Sequence, residues 1–152
     1  MPQLILDDLF YVSGEIPRVT AFEPGMPGQY RRTDDGNDWE PDTLLMDERF
    51  VAVRVKDKGV IVFTACSHAG VVNVLAHSRE CFAGVPLFGV MGGFHLSGSN
   101  EAIIPDTVAA MRAFELKVIA AAHCTGWRAV AALAAAYGDA VVPAAVGKTY
   151  RF

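Results

Sequence analysis

Between Phe50 and Tyr137 the hydrophobic rhythm of the chain changes in a fixed order, and that order limits the fold more than any other feature of the sequence. Two runs rich in β-branched residues, Phe50 to Val55 and Val60 to Ala65, are separated by Lys56-Asp57-Lys58-Gly59, which predicts a β-hairpin with glycine in its turn. In the first run Val51, Val53 and Val55 alternate with Ala52 and Arg54, as in a half-exposed strand; the second is apolar throughout, like a buried one. Helical and extended patterns then take turns. Ala69 to Phe82 places Val71, Val74, Leu75, Ser78 and Phe82 on one helical face, and Pro86 to Met91 follows as a short buried strand. Pro105 stands near the start of a helix with Val108, Ala110, Met111 and Phe114 on its apolar side. Lys117 to Ala121 is extended again, and Trp127 to Tyr137 is an alanine-rich helix stopped by Gly138. The pattern predicts an α/β domain, a mixed sheet with helices on one face.

The rest of the chain is less regular. Leu9 to Val12 reads as a short strand, and Ala140 to Val142 and Gly147 to Phe152 as two terminal extended pieces. Residues 13–47 form a long stretch rich in proline, glycine and acids, expected to be a loop or arm; composition leaves open a lid, a binding loop and a disordered arm. A length of 152 residues suits a single domain or part of one, so 1–152 is read as one partial domain. Met1 to Leu6 is apolar but lacks a basic flank and runs into Asp7 and Asp8, unlike a signal peptide. The longest apolar stretches, Val60 to Ala65 and Ala129 to Ala136, fall short of the about 20 residues that span a membrane. A net charge of −4 argues against a nucleic-acid surface, and an odd count of 3 cysteines fits the cytoplasm better than a disulfide scaffold. Hydrophobic residues make up 52% of the chain. That is more apolar surface than a soluble domain of this size is expected to bury alone, so a covering partner is expected.

The chemical signal is positional. Three of the 4 histidines close the predicted strands, in Cys66-Ser67-His68-Ala69-Gly70, Gly92-Gly93-Phe94-His95-Leu96 and His123-Cys124-Thr125-Gly126. In open α/β sheets the loops leaving the carboxyl ends of the strands converge on one rim. Imidazole is the commonest metal ligand, and small neighbours let its ring reach a metal without crowding. A single histidine of this kind is more often a hydrogen-bonded core residue. Three at equivalent topological positions favour a shared site. His77 falls on the helix flank away from the apolar face and is expected in solvent. Cys66 and Cys124 border the rim without any Cys-x-x-Cys spacing and are read as free thiols, with Cys81 as a packing residue.

Together, the segment Thr64 to Asn73, Gly92-Gly93-Phe94-His95-Leu96 and His123-Cys124-Thr125-Gly126 resemble the C-terminal half of a branch of the metallo-β-lactamase superfamily. That branch is similar to the pterin-pathway synthases acting on a ribofuranosylaminobenzene phosphate. Ser13-Gly14-Glu15-Ile16-Pro17-Arg18 and Asp47-Glu48 also look like it. The resemblance implies half of an αββα sandwich with metals at one sheet edge. It implies His68, His95 and His123 at the metal, although His95 stands where the wider superfamily commonly has an aspartate. Ser67, Thr125 and Gly126 would line the pocket for a small-molecule substrate. The implied cofactor is a divalent metal, zinc first, with manganese or iron as alternatives. The superfamily's His-x-His-x-Asp-His loop does not occur in the chain, whose first histidine is His68. The metal site is therefore expected to be incomplete in this chain.

Two functions follow from this reading. In the first, the chain is part of a metal-dependent hydrolase or synthase and works with a complementary N-terminal half or as a rearranged homodimer. In the second, it is a non-catalytic truncated remnant, a self-associating or partner-binding module whose histidines are inherited structure.

Overall fold

The computed structural model describes residues 1–6 and 9–151; Asp7, Asp8 and Phe152 lie outside the described residues, including the part they play in the expectations for the N-terminus and the last extended piece. Its centre is a six-stranded sheet, β1 (Gln3–Ile5), β2 (Phe10–Val12), β5 (Phe50–Val55), β6 (Gly59–Thr64), β7 (Leu87–Gly93) and β8 (Val118–Ala122), in that spatial order. The pairs from β1 to β6 are antiparallel, and β6–β7 and β7–β8 are parallel. The parallel pairs require crossovers, which α1 (Val71–Cys81) and α2 (Ile104–Met111) provide. A third helix, α3 (Trp127–Tyr137), follows β8.

Register decides which residues are core. Phe50, Ala52, Val60, Val62, Val90 and Ile119 share the face on which Val71, Val74 and Leu75 of α1, Met111 of α2 and Leu133 of α3 pack, all of them buried. The helices therefore lie on one face, as the sequence predicts. Burying a side chain of this size stabilises by about 1.5–3 kcal/mol, so this layer is the main store of stability.

The opposite face carries no helix. Val51, Val53 and Val55 pair there with Phe63, Ile61 and Gly59, and Phe10 and Val12 of β2 extend the row. The valines are half-buried and Phe63 is 39% exposed. β6 is thus buried throughout except at Phe63, the outward residue opposite Val51, which corrects the expectation of a fully buried strand. The segment after β8 approaches this face, where Ala144, Ala145, Val146 and Tyr150 join Met91, Ala120 and Ala122 around a cavity of about 550 Å³.

Several expectations for the irregular segments need correction. The 13–47 stretch contains a small separate hairpin, β3 (Tyr30–Arg32) and β4 (Trp39–Pro41), held by an Arg31–Glu40 ion pair of 2.6 Å and by Arg32 over the Trp39 ring. Gln3–Ile5 is an edge strand, unnoticed because three residues carry no periodicity. Ala140 to Val142 makes only one bridge, Val141 with Ile119, and the described part of Gly147 to Phe152 forms no strand. The first helix begins at Val71 with Gly70 as its cap, two residues later than expected. His77 is half-buried with its ring edge-on to Phe50, while Cys81 is exposed and bonded to the Tyr11 hydroxyl at 3.2 Å. Phe50 and Tyr11, neighbours on the helix-facing side of the sheet, hold His77 and Cys81 respectively at the seam with α1. No helix among the described residues is long and apolar enough to cross a membrane.

Candidate metal centre

β6, β7 and β8 end side by side, and the loops leaving them carry His68, His95 and His123 to one rim. Two of these loops turn through backbone that non-glycine residues rarely adopt, Ser67 at φ 55° and His95 at φ 48°. Such conformations cost about 1–3 kcal/mol each and persist only where surrounding contacts enforce them. Here they do. The Ser67 hydroxyl bonds Thr64 Oγ1 at 2.9 Å and donates to the Gly93 carbonyl at 2.8 Å, tying the end of β6 to the end of β7. The Asn100 amide donates to the His95 carbonyl at 2.9 Å.

Within the rim the imidazoles meet thiols. The His68 and His95 rings stand edge to face with centroids 4.9 Å apart. Cys66 Sγ lies 3.5 Å from His95 Nδ1 and 3.0 Å from Cys124 Sγ, which also accepts the His95 amide N–H at 3.2 Å. Two groups of donor atoms lie within 4.8 Å of one another, Cys66 with His68 and His95, and Cys66 with His123 and Cys124. Gly93 makes this convergence fit. A Cβ there would stand 2.5 Å from Cys124 Sγ and 2.5 Å from His123 Nε2, so the glycine leaves the space into which the two donors following β8 reach. Soft thiol and imidazole donors gathered around such a space suit a zinc-like divalent cation.

Burial tunes these groups. It lowers the His95 pKa, and the neighbouring imidazoles of His68 and His123 push in the same direction, so the ring is held in the neutral form that binds metals. Burial and Cys124 raise the Cys66 thiol to about 12. Without a cation nearby it stays protonated.

The remaining residues expected at the site divide in two. Ser67 and Thr125 are buried, with hydroxyls bonded inside the protein; Thr125 Oγ1 accepts the Phe94 N–H at 3.1 Å and donates to the Ala122 carbonyl at 2.7 Å. Gly126 is half-buried at φ 79° and begins α3, with Ser97 pressed against the place of its missing side chain. His123 is exposed and forms one wall of the 550 Å³ cavity on the uncovered sheet face.

The long segment before β5 contributes what motif reading left out. Glu48 accepts the His68 N–H at 2.9 Å and the Ala69 N–H at 2.7 Å, fixing the first histidine's backbone with a bidentate carboxylate. Glu23, 7% exposed, accepts the Val72 and Asn73 N–H groups at 2.8 and 2.9 Å and caps α1 in place of the side chain that Gly70 lacks. A side chain at Gly70 would overlap this carboxylate. Asn73 reaches back to accept the Val19 and Thr20 N–H groups at 2.8 and 3.0 Å. The segment is therefore pinned to the site at both ends. An acid some 20 to 50 residues upstream of its partner carries no local pattern; Asp47-Glu48 was visible only as part of the family resemblance.

No protein-family profile matches the chain. Among curated proteins, it is 35% identical over 83 residues to the 7,8-dihydropterin-6-methyl-4-(β-D-ribofuranosyl)-aminobenzene-5'-phosphate synthase of Methanocaldococcus jannaschii, covering 55% of this chain and 28% of that protein. It is 27% identical over 128 residues to the uncharacterized protein MJ0448 of the same organism, covering 84% of this chain and 44% of that one. The chain thus spans less than half the length of these relatives. Among solved structures, Tm1679, described as a metal-dependent hydrolase of the β-lactamase superfamily, superposes with a TM-score of 0.83 at 25% identity, over 99% of this chain and 56% of that one. With its mixed sheet, one-sided helices and histidine-lined rim, the chain shares its fold, over nearly its whole length, with this metal-dependent hydrolase of the β-lactamase superfamily.

Proposed function

We propose that the chain forms one side of a metal-dependent hydrolase or synthase centre acting on a small-molecule substrate, in the branch of the pterin-pathway ribofuranosylaminobenzene phosphate synthases. The observation that carries this reading is that His68 and His95 share one group of donor atoms and His123 an adjoining one, the two joined through Cys66 at the ends of three adjacent strands, with Gly93 leaving room at His123. A divalent cation, zinc before manganese or iron, would supply Lewis acidity toward a substrate oxygen. The chain's own residues do the positioning. Glu48 fixes His68, Ser67 ties β6 to β7, Thr125 shapes the turn that carries His123, and burial keeps His95 neutral. The cavity beside His123, about 550 Å³ and walled by alanine, methionine and valine, has the size and character of a small-ligand pocket.

A second sheet packs on the uncovered face in this proposal, contributed by a complementary half or by a second copy of the chain. The row of Phe10, Val12, Val51, Val53 and Phe63 supports it, as does the match to only 56% of the solved relative. The free thiols Cys66, Cys81 and Cys124 suit a reducing compartment such as the cytoplasm.

Metal analysis of the purified chain tests the enzymatic reading. Stoichiometric divalent metal that falls in both His68→Ala and His123→Ala supports it. Absence of stoichiometric metal once the complementary half is supplied, or a His68→Ala variant with unchanged metal content, would refute it. Native mass spectrometry reads the sheet partner, and a stable dimer that keeps its mass in strong chelator and holds no metal favours the non-catalytic module instead.

A further inference from the structure

The histidines explain the rim only in part, because two sulfurs meet there as well, 3.0 Å apart. The geometry points to Cys66 and Cys124 as thiolate ligands that, with His123, hold a divalent cation between the ends of β6 and β8; this rests on the metal-centre reading above and assigns it a different donor set. Cys66 Sγ and Cys124 Sγ are 3.0 Å apart, and both lie within 4.8 Å of a His123 ring nitrogen. The three come from two separate loops, so the fold rather than a sequence motif brings them together.

Two further observations support the assignment. Gly93 is the residue whose Cβ would meet both Cys124 Sγ and His123 Nε2, at 2.5 Å each, so the space it leaves faces this donor set. Cys124 also has backbone partners that fix its sulfur in place: Cys124 Sγ accepts the His95 N–H at 3.2 Å, and its thiol donates to the Cys66 carbonyl at 3.6 Å. An N–H directed at a sulfur stabilises the thiolate form of that sulfur.

Two thiolates and one imidazole leave a fourth tetrahedral position open, the arrangement of catalytic rather than structural zinc. Each thiol that coordinates gives up its proton to solvent, so loading releases protons and weakens as pH falls. His68 and His95, which share Cys66 as a neighbour, stand beside this set and complete a second triad.

Cobalt(II) titration of the full chain, kept reduced and free of zinc, tests the proposal. Thiolate ligation gives intense sulfur-to-cobalt charge-transfer absorption in the near ultraviolet, which imidazole and carboxylate ligands do not give. The expected result is that band, lost in Cys66→Ser and Cys124→Ser, with affinity lowered by more than the roughly 10–100-fold of a lost outer-sphere contact. Cys81→Ser, outside the cluster, keeps the band, and circular dichroism verifies that each variant is folded. Cobalt bound without the band overturns the thiolate assignment and leaves the histidine centre standing. A folded chain that binds no cobalt overturns the thiolate assignment, which places all three donors on this chain.

Discussion

Gly92 and Gly93 are neighbours at the end of β7, yet alanine at each should do opposite things. Gly93 has no left-handed backbone, so alanine there meets no conformational penalty. Its Cβ would lie 2.5 Å from Cys124 Sγ and 2.5 Å from His123 Nε2, whereas non-bonded contacts settle near 3.5–4.0 Å, so both donors must retreat by roughly 1 Å. Both side chains reach solvent and can swing. The stability cost should therefore sit at the low end of the 1–3 kcal/mol typical of overpacking, or about 2–4 °C in Tm for a chain of this size. A metal site tolerates only about ±0.2 Å in its bonds, so the same 1 Å should lower metal affinity by at least about 100-fold. Gly92 is at φ 134° and its Cβ would overlap the Thr64 carbonyl oxygen on the paired strand β6, so neither atom can swing aside. Gly92→Ala should cost more than about 3 kcal/mol, from backbone strain and overlap together. Thermal unfolding of chelator-treated protein gives the first quantity, and competition against a metal indicator gives the second. Wild-type metal affinity in Gly93→Ala would refute the claim that donors converge beneath this glycine. A Gly92→Ala variant as stable as Gly93→Ala would refute the steric reasoning for both.

Other residues give independent checks. Glu48→Ala removes the acceptor of two backbone N–H groups at His68 and Ala69 and should weaken metal binding about 10–100-fold while the chain stays folded, as measured by metal competition and circular dichroism. Burial raises the Glu23 pKa above its ordinary 4.5 despite the two backbone N–H bonds that favour its charged form. Its contribution to stability is then full below about pH 4.5 and lost as pH rises through the raised value, so the advantage of the wild type over Glu23→Gln in urea midpoint should shrink from about pH 4.5 to 7. An advantage that grows over that range would reverse the sign of the argument. At about pH 4.5 the variant itself should be less stable by about 1–3 kcal/mol, since one amide oxygen replaces two carboxyl oxygens facing Val72 and Asn73. Phe63→Asp places a charge on the uncovered face and should lower the mass of any dimer or mixed complex seen by native mass spectrometry without changing the monomer's circular dichroism.

The order of elements from Phe50 onward was legible because their periodicities are local: a two-residue alternation for the hairpin and a 3.6-residue apolar stripe for each helix. The histidines were legible for a related reason. Each follows a strand directly, and parallel neighbours end on the same side, so chain order alone carries them to one rim. The hairpin Tyr30–Arg32 with Trp39–Pro41 was hidden in a segment that reads as loop, since strands of three residues held by an ion pair and a cation–π contact leave no hydrophobic pattern.

What the sequence determined by itself, then, was the class of fold, the side on which its helices lie and the order that sends three strand-closing histidines to one rim. What only the tertiary structure decided was how those residues meet. Cys66 and Cys124, 58 positions apart, come to 3.0 Å because β6 and β8 flank β7, and Gly93 on that middle strand has no side chain to displace Cys124. Glu23 and Glu48 reach the site from the irregular segment because the N–H groups at the start of α1 and at His68 need acceptors once they leave water. Contacts of this kind depend on distance in space, and no period or spacing along the chain encodes it.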